Sequence, residues 1–167
     1  MSINATSNAS STTRWITRTA LLLALTLAFQ MIGLPQPITG PAVNAMLILS
    51  VLFAGPVSGV IIGSLTPLIA FQRGILAAPL GPMIPFIALA NAVLVLLFAL
   101  VRKQQPILAV VVAALAKFAV LATAVRLFVT VPPPIAVAMG TPQLLTALIG
   151  GGVALLAHRA IGQILKD

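Results

Sequence analysis

Residues 83–129 read MIPFIALANAVLVLLFALV, then RKQQ, then PILAVVVAALAKFAVLATAVRLFV. A helix needs roughly 20 apolar residues to cross a bilayer core, and each long run supplies that length. Pro85 falls in the first turn of the earlier run, where a missing N–H costs nothing. Arg102, Lys103, Gln104 and Gln105 are too polar for the hydrocarbon, so they form the turn between two spans. This helical hairpin sets the solvent of the chain as lipid, and the remainder is read outward from it.

Upstream, a third span covers about Val57 to Phe71 with Pro67 inside it, and a second covers about Ala42 to Ala54. Gly55-Pro56 is the tight turn between them. Both are short, which predicts tilt, kinking or shielding by neighbours. The segment Gln72 to Pro82 reads as a loop, and Pro35, Pro37 and Pro41 as another. A first helix fits Trp15 to Leu34. Its leading Arg14 and Arg18 resemble a signal peptide, but the apolar run is too long and flows into further spans. Met1 to Thr13 is rich in Ser, Thr and Asn and is expected to be a disordered tail. Downstream, Pro132-Pro133-Pro134 ends span five, and a sixth span runs from about Pro142 to Ile161. The fold class expected is therefore all-α, a polytopic bundle of about six transmembrane helices formed by residues 14–167.

Composition agrees. Of 167 residues, 60% are hydrophobic and 6% charged, where a soluble domain has about a quarter charged. Nine Lys and Arg face one acid, Asp167, for a net charge of +8. The cations are scattered among apolar runs without a basic stripe, which argues against nucleic acid as a partner. The chain has no cysteine, so thiol chemistry and Cys-based metal sites are excluded. One histidine, His158, and one terminal carboxylate make no ordinary metal site. No cofactor is called for, and no intramembrane carboxylate, histidine or activated nucleophile suggests an enzyme. A self-sufficient proton-coupled transporter would also need an intramembrane acid.

With an even number of spans both termini share a side. Arg14, Arg18, Arg102, Lys103, Arg159 and Lys166 all fall on it, and Arg73 alone falls in the opposite loops. By the positive-inside rule the termini are expected in the cytoplasm of a cell-membrane protein.

Three cations are not needed for topology: Arg73, Lys117 and Arg126. Ionisable groups inside a bilayer normally face a cavity or a partner, and no internal acid is present to pair with them. Lys117 lies mid-span and has a long reach to either interface, whereas Arg126 is nearer the outer end, where snorkelling is easy. Nine residues at about 100° each put the two on opposite helix faces. Asn44, Asn91, Gln36 and Gln143 are the polar partners on offer. Each amide alone could be an interhelical hydrogen bond. Together with Arg73 they gather in the outward loops and the outer half of the spans, which predicts a substrate-binding cavity open to the outside. Lys117 points to an anionic group on the ligand; a neutral pyrimidine-like ligand held by Asn44, Asn91 and Gln143 is the other option. In span one, Ala20, Ala24 and Ala28 recur every fourth residue, a spacing that allows close approach of another helix in lipid.

Several of these segments resemble the substrate-binding S components of energy-coupling factor (ECF) vitamin transporters. The likeness rests on the small size, the span count, the Ala20-x-x-x-Ala24 pattern and the stretch from Leu34-Pro35-Gln36-Pro37 to Asn44. It also rests on Arg73-Gly74-Ile75-Leu76 followed by Pro82-Met83-Ile84-Pro85-Phe86. The resemblance implies a subunit that captures a small-molecule substrate near the outer surface. It implies partners too: a transmembrane coupling subunit that meets Ala20, Ala24 and Ala28, and two cytoplasmic ATPases. The chain has no phosphate-binding loop of its own, as such a division of labour requires. The competing expectation is a membrane scaffold or assembly protein without a ligand, whose polar residues would follow helix pairing instead of clustering.

Overall fold

The computed structural model describes residues 3–164, with side chains described for 11–164. Among these the protein is helical throughout, without a strand. In chain order the helices are α1 (Ile3–Met31), α2 (Gln36–Ala54), α3 (Pro56–Gln72), α4 (Ile84–Val101), α5 (Pro106–Thr123), α6 (Pro133–Ala138) and α7 (Thr141–Ile164). A 3-10 turn, Ala78–Met83, leads into α4, and a π-helical turn, Ala124–Phe128, prolongs α5. Four helical stretches are long and apolar enough to cross a membrane: Gln36–Ala54, Ala78–Val101, Pro106–Phe128 and Pro133–Ile164. Pro56–Gln72 is a shorter apolar helix beside them.

The elements differ from the sequence reading at four places. Helix α1 begins at Ile3, inside the stretch read as a disordered tail; no glycine or proline interrupts Ile3–Met31 to stop it. Helix α2 begins at Gln36 and contains both Pro37 and Pro41, which the sequence reading places in a loop. Pro37 sits in the first turn, where no N–H is needed, and Pro41 removes only one backbone bond just beyond it. The second span is thereby long enough to be an ordinary crossing. Residues 78–83 are a 3-10 turn within the expected loop. Finally, the three prolines after span five also start a helix, α6, with Pro133 at its first turn.

The interior is largely apolar, with Leu47, Ile48, Ile62, Leu94 and Phe98 buried in it, but the exterior is apolar as well. Leu96, Leu100, Ile107, Leu115, Ile149 and Leu156 lie exposed on the outside, while Ser50, Ser58, Thr66, Asn44, Asn91 and Lys117 are buried. A lipid-facing exterior of leucine and isoleucine is what the composition requires. Helix α2 packs most extensively against α7, α4 against α5, and α3 against α4. Glycines set these approaches. A Cβ on Gly150 would run into the Pro41 carbonyl oxygen and lie 2.8 Å from Asn44 Cβ, so α7 can press on α2 only without it. Gly59 and Gly63 do the same for α3 against Val95 and Asn91 of α4, at 2.9 Å each.

Four basic residues, Arg18, Arg102, Lys103 and Arg159, gather at one end of the bundle. Trp15 Nε1 donates to the Ala54 carbonyl at 2.9 Å and Arg18 to the Phe53 carbonyl at 3.3 Å, tying the N-terminal half of α1 to the end of α2. Arg102, Lys103 and Arg159 border a common groove with Leu52 near that end. Lys166 lies outside the described residues.

Candidate functional site

The opposite end of the bundle holds a cavity of about 330 Å³. It opens among the end of α1, the start of α2, the end of α3, the loop before α4 and the start of α7. Lys117 of α5 forms its deep wall.

Lys117 is 4% exposed, and its side chain is held by amides from two other helices. Its Nζ donates to Asn44 Oδ1 of α2 at 2.7 Å and to Asn91 Oδ1 of α4 at 2.8 Å. Both oxygens being acceptors, each Nδ2 must point away, and each finds a carbonyl. Asn44 Nδ2 donates to Gly40 O at 2.9 Å and approaches Thr146 Oγ1 of α7 at 3.5 Å. Asn91 Nδ2 donates to Gly63 O of α3 at 2.9 Å. Thr146 in turn donates to the Gln143 carbonyl at 3.1 Å.

The Gly63 carbonyl is available because of Pro67. A proline has no N–H for the carbonyl four residues back, so Gly63 O lacks its helical donor and receives Asn91 instead. Gly63 also lacks a Cβ where the Asn91 side chain lies, which lets the carboxamide reach the α3 backbone. The sequence reading treats Pro67 only as a kink. Its further role is to free an acceptor that orients Asn91 beneath Lys117.

An ammonium has three N–H groups. Two are taken by Asn44 and Asn91, and the third has no acceptor among the described residues. With the only acid of the chain at Asp167, no carboxylate of the bundle neutralises Lys117. The amides satisfy it geometrically without cancelling its charge. An anion in the cavity could do both, through a charge-assisted hydrogen bond of a kind about twice as strong as a neutral one.

Five of the seven residues named from the sequence border this one cavity: Gln36, Asn44, Asn91, Lys117 and Gln143. Gln36 is exposed at the rim, and Gln143 is buried. Asn44 and Asn91 each accept from Lys117 through Oδ1 and donate through Nδ2 to a backbone carbonyl, so both amides help to seat the lysine. Arg73 and Arg126 are not part of the cavity. Arg73 is exposed at the end of α3, where its backbone N–H closes the helix on Ile69 O at 3.0 Å. Arg126 is exposed in the π-helical turn, beside a separate hollow lined by Leu127 and Thr130. The turn closes through Val129 N–H on Ala124 O at 2.9 Å, and Phe128 stacks on Phe86 of α4 with ring centroids 5.9 Å apart.

The sequence reading missed Gln30. It lies on α1, borders the cavity, and its Oε1 is buried with no hydrogen-bond donor. The signal in the sequence is a glutamine near the end of the first apolar run. Ala20, Ala24 and Ala28 form the other face of α1, all three exposed, while Thr19, Thr26 and Gln30 face inward. Compared with protein-family models, curated proteins and solved structures, the chain matches none.

Proposed function

We propose that this protein is a membrane-embedded substrate-capture subunit, an S component of an ECF-type importer. It binds a vitamin or similar small molecule bearing an anionic group from the outside. The observation that carries the reading is Lys117: a buried basic side chain at the wall of a cavity, held by two amides, with no acid of the bundle to pair with it. A charge in that setting is costly unless a ligand or function repays it. The collection of cations at the far end of the bundle supports cytoplasmic termini and a cavity open outward. The exposed Ala20-Ala24-Ala28 face of α1 supports contact with a transmembrane coupling subunit, which two cytoplasmic ATPases would drive.

A scaffold without a ligand would use its buried polar residues to join helices, and Asn44, Asn91 and Lys117 do join α2, α4 and α5. That reading leaves the cavity itself, the unspent N–H of Lys117 and the undonated Gln30 Oε1 without a purpose. The test is to purify the solubilised protein from its native membrane and identify by mass spectrometry everything retained. A coupling subunit, two ATPases and an acidic small molecule are expected. Unrelated membrane proteins and no small molecule would replace this reading with the scaffold.

A further inference from the structure

A second hollow, of about 840 Å³, lies at the basic end of the bundle between α5 and α7. Its walls are apolar, with Leu52, Ile107 and Leu155 among them, and Arg102, Lys103, His158 and Arg159 line it as well. It is open to the apolar outer surface, where Ile107 is 68% and Leu156 71% exposed. Two polar atoms there are buried without a hydrogen-bond partner: Arg102 Nε and His158 Nδ1. The His158 ring is held in place edge-on by Phe53, at 5.2 Å between centroids.

From this arrangement we propose that the groove seats one anionic phospholipid, its phosphate on Arg102 and Arg159 and its acyl chains along α5 and α7. Arg102 Nε is closed off from the surface, so the rest of the half-buried Arg102 guanidinium and the exposed Arg159 are the donors that line the groove, and a phosphate oxygen is the acceptor that guanidinium geometry fits best. Three cations meet no carboxylate among the described residues, so the complementary headgroup carries net negative charge. A free phosphate would satisfy the cations but leave the apolar walls unused. A zwitterionic lipid would fill the walls but bring a second cation to the basic rim. Basic pockets between transmembrane helices select anionic headgroups on these same grounds. The groove is at the opposite end from the Lys117 cavity, so the lipid site stands or falls separately from substrate capture.

The experiment is native mass spectrometry of the full chain in detergent, titrated with phosphatidylglycerol, with phosphatidylcholine of the same acyl chains, and with inorganic phosphate. One phosphatidylglycerol is expected to stay bound at energies that strip phosphatidylcholine. Losing one basic contact weakens binding about fivefold, so Arg102→Gln with Arg159→Gln is expected to weaken it about 30-fold. Arg73→Gln, at the other end, is expected to change nothing. Gly152 borders the groove, and a Cβ there meets nothing within 4 Å. Gly152→Trp should therefore put an indole into the acyl-chain part of the groove and weaken phosphatidylglycerol retention with every charge kept. Equal retention of phosphatidylcholine would overturn the proposal, as would displacement of the lipid by phosphate alone. Phosphatidylglycerol retention by Gly152→Trp equal to that of the wild type would place the occupant elsewhere and overturn it too.

Discussion

Replacing Lys117 with methionine separates a binding cation from helix glue, because the two roles predict opposite outcomes. The change keeps the apolar stem and removes the ammonium, which strands Asn44 Oδ1 and Asn91 Oδ1. A hydrogen bond to a charged group is worth about 1.5–3 kcal/mol, so two lost bonds destabilise the bundle by about 3–6 kcal/mol. Against this, the variant no longer buries an unneutralised cation, whose effective desolvation cost is several kcal/mol. The two effects nearly cancel, leaving a net change within about 2 kcal/mol. For a chain of this size that moves the melting temperature by no more than about 8 °C. Ligand binding has no such compensation. The variant loses a charge-assisted bond to the anion, and about 1.5–3 kcal/mol corresponds to about 10- to 150-fold weaker affinity. The assay is calorimetric titration of both proteins with the acidic compound recovered from the wild type, alongside their thermal melts in one detergent. A variant that melts far lower yet binds the compound unchanged would refute the reasoning, and Lys117 would be a structural strut.

Gly150→Ala should destabilise by about 1–3 kcal/mol in a thermal melt, because its Cβ meets the α2 backbone, which cannot step aside; Gly152→Ala, with open space around it, should be neutral or slightly stabilising. Gln30→Met is expected to stabilise the ligand-free protein by about 1 kcal/mol by removing an undonated buried acceptor. The same variant should bind the recovered compound more weakly, since a ligand donor would lose its acceptor. Topology is directly accessible because the chain has no cysteine. In intact cells an impermeant maleimide should label Gln72→Cys at the cavity end and leave Gln104→Cys at the basic end unlabelled until the membrane is opened.

Some of this molecule is present in the order of its residues. Hydropathy is a local property, so the long apolar runs and the polar turn at residues 102–105 mark helices long and apolar enough to cross a membrane before any contact is known. The scarcity of acids does the same for Lys117: with Asp167 at the far end of the chain, its charge has no partner wherever the helix lies. The convergence of Asn44, Asn91 and Lys117 is different in kind. Lys117 meets partners 73 and 26 residues away, and whether they meet depends on how each helix is rotated about its axis. That rotation is set by close approaches at Gly63 and Gly150, which only the packed bundle contains. The proline rules also depend on position within an element: Pro41 reads as a breaker but is absorbed near the start of α2, and Pro67 frees the carbonyl that orients Asn91. The helical period could part Lys117 from Arg126, but only the assembled bundle leaves Arg126 and Arg73 exposed outside the cavity and brings Gln30 into it. Composition and order thus determined the solvent and the helices, because burial of apolar length is additive along the chain. The tertiary structure alone decided the site, because a hydrogen bond needs two groups from distant helices at one point in space.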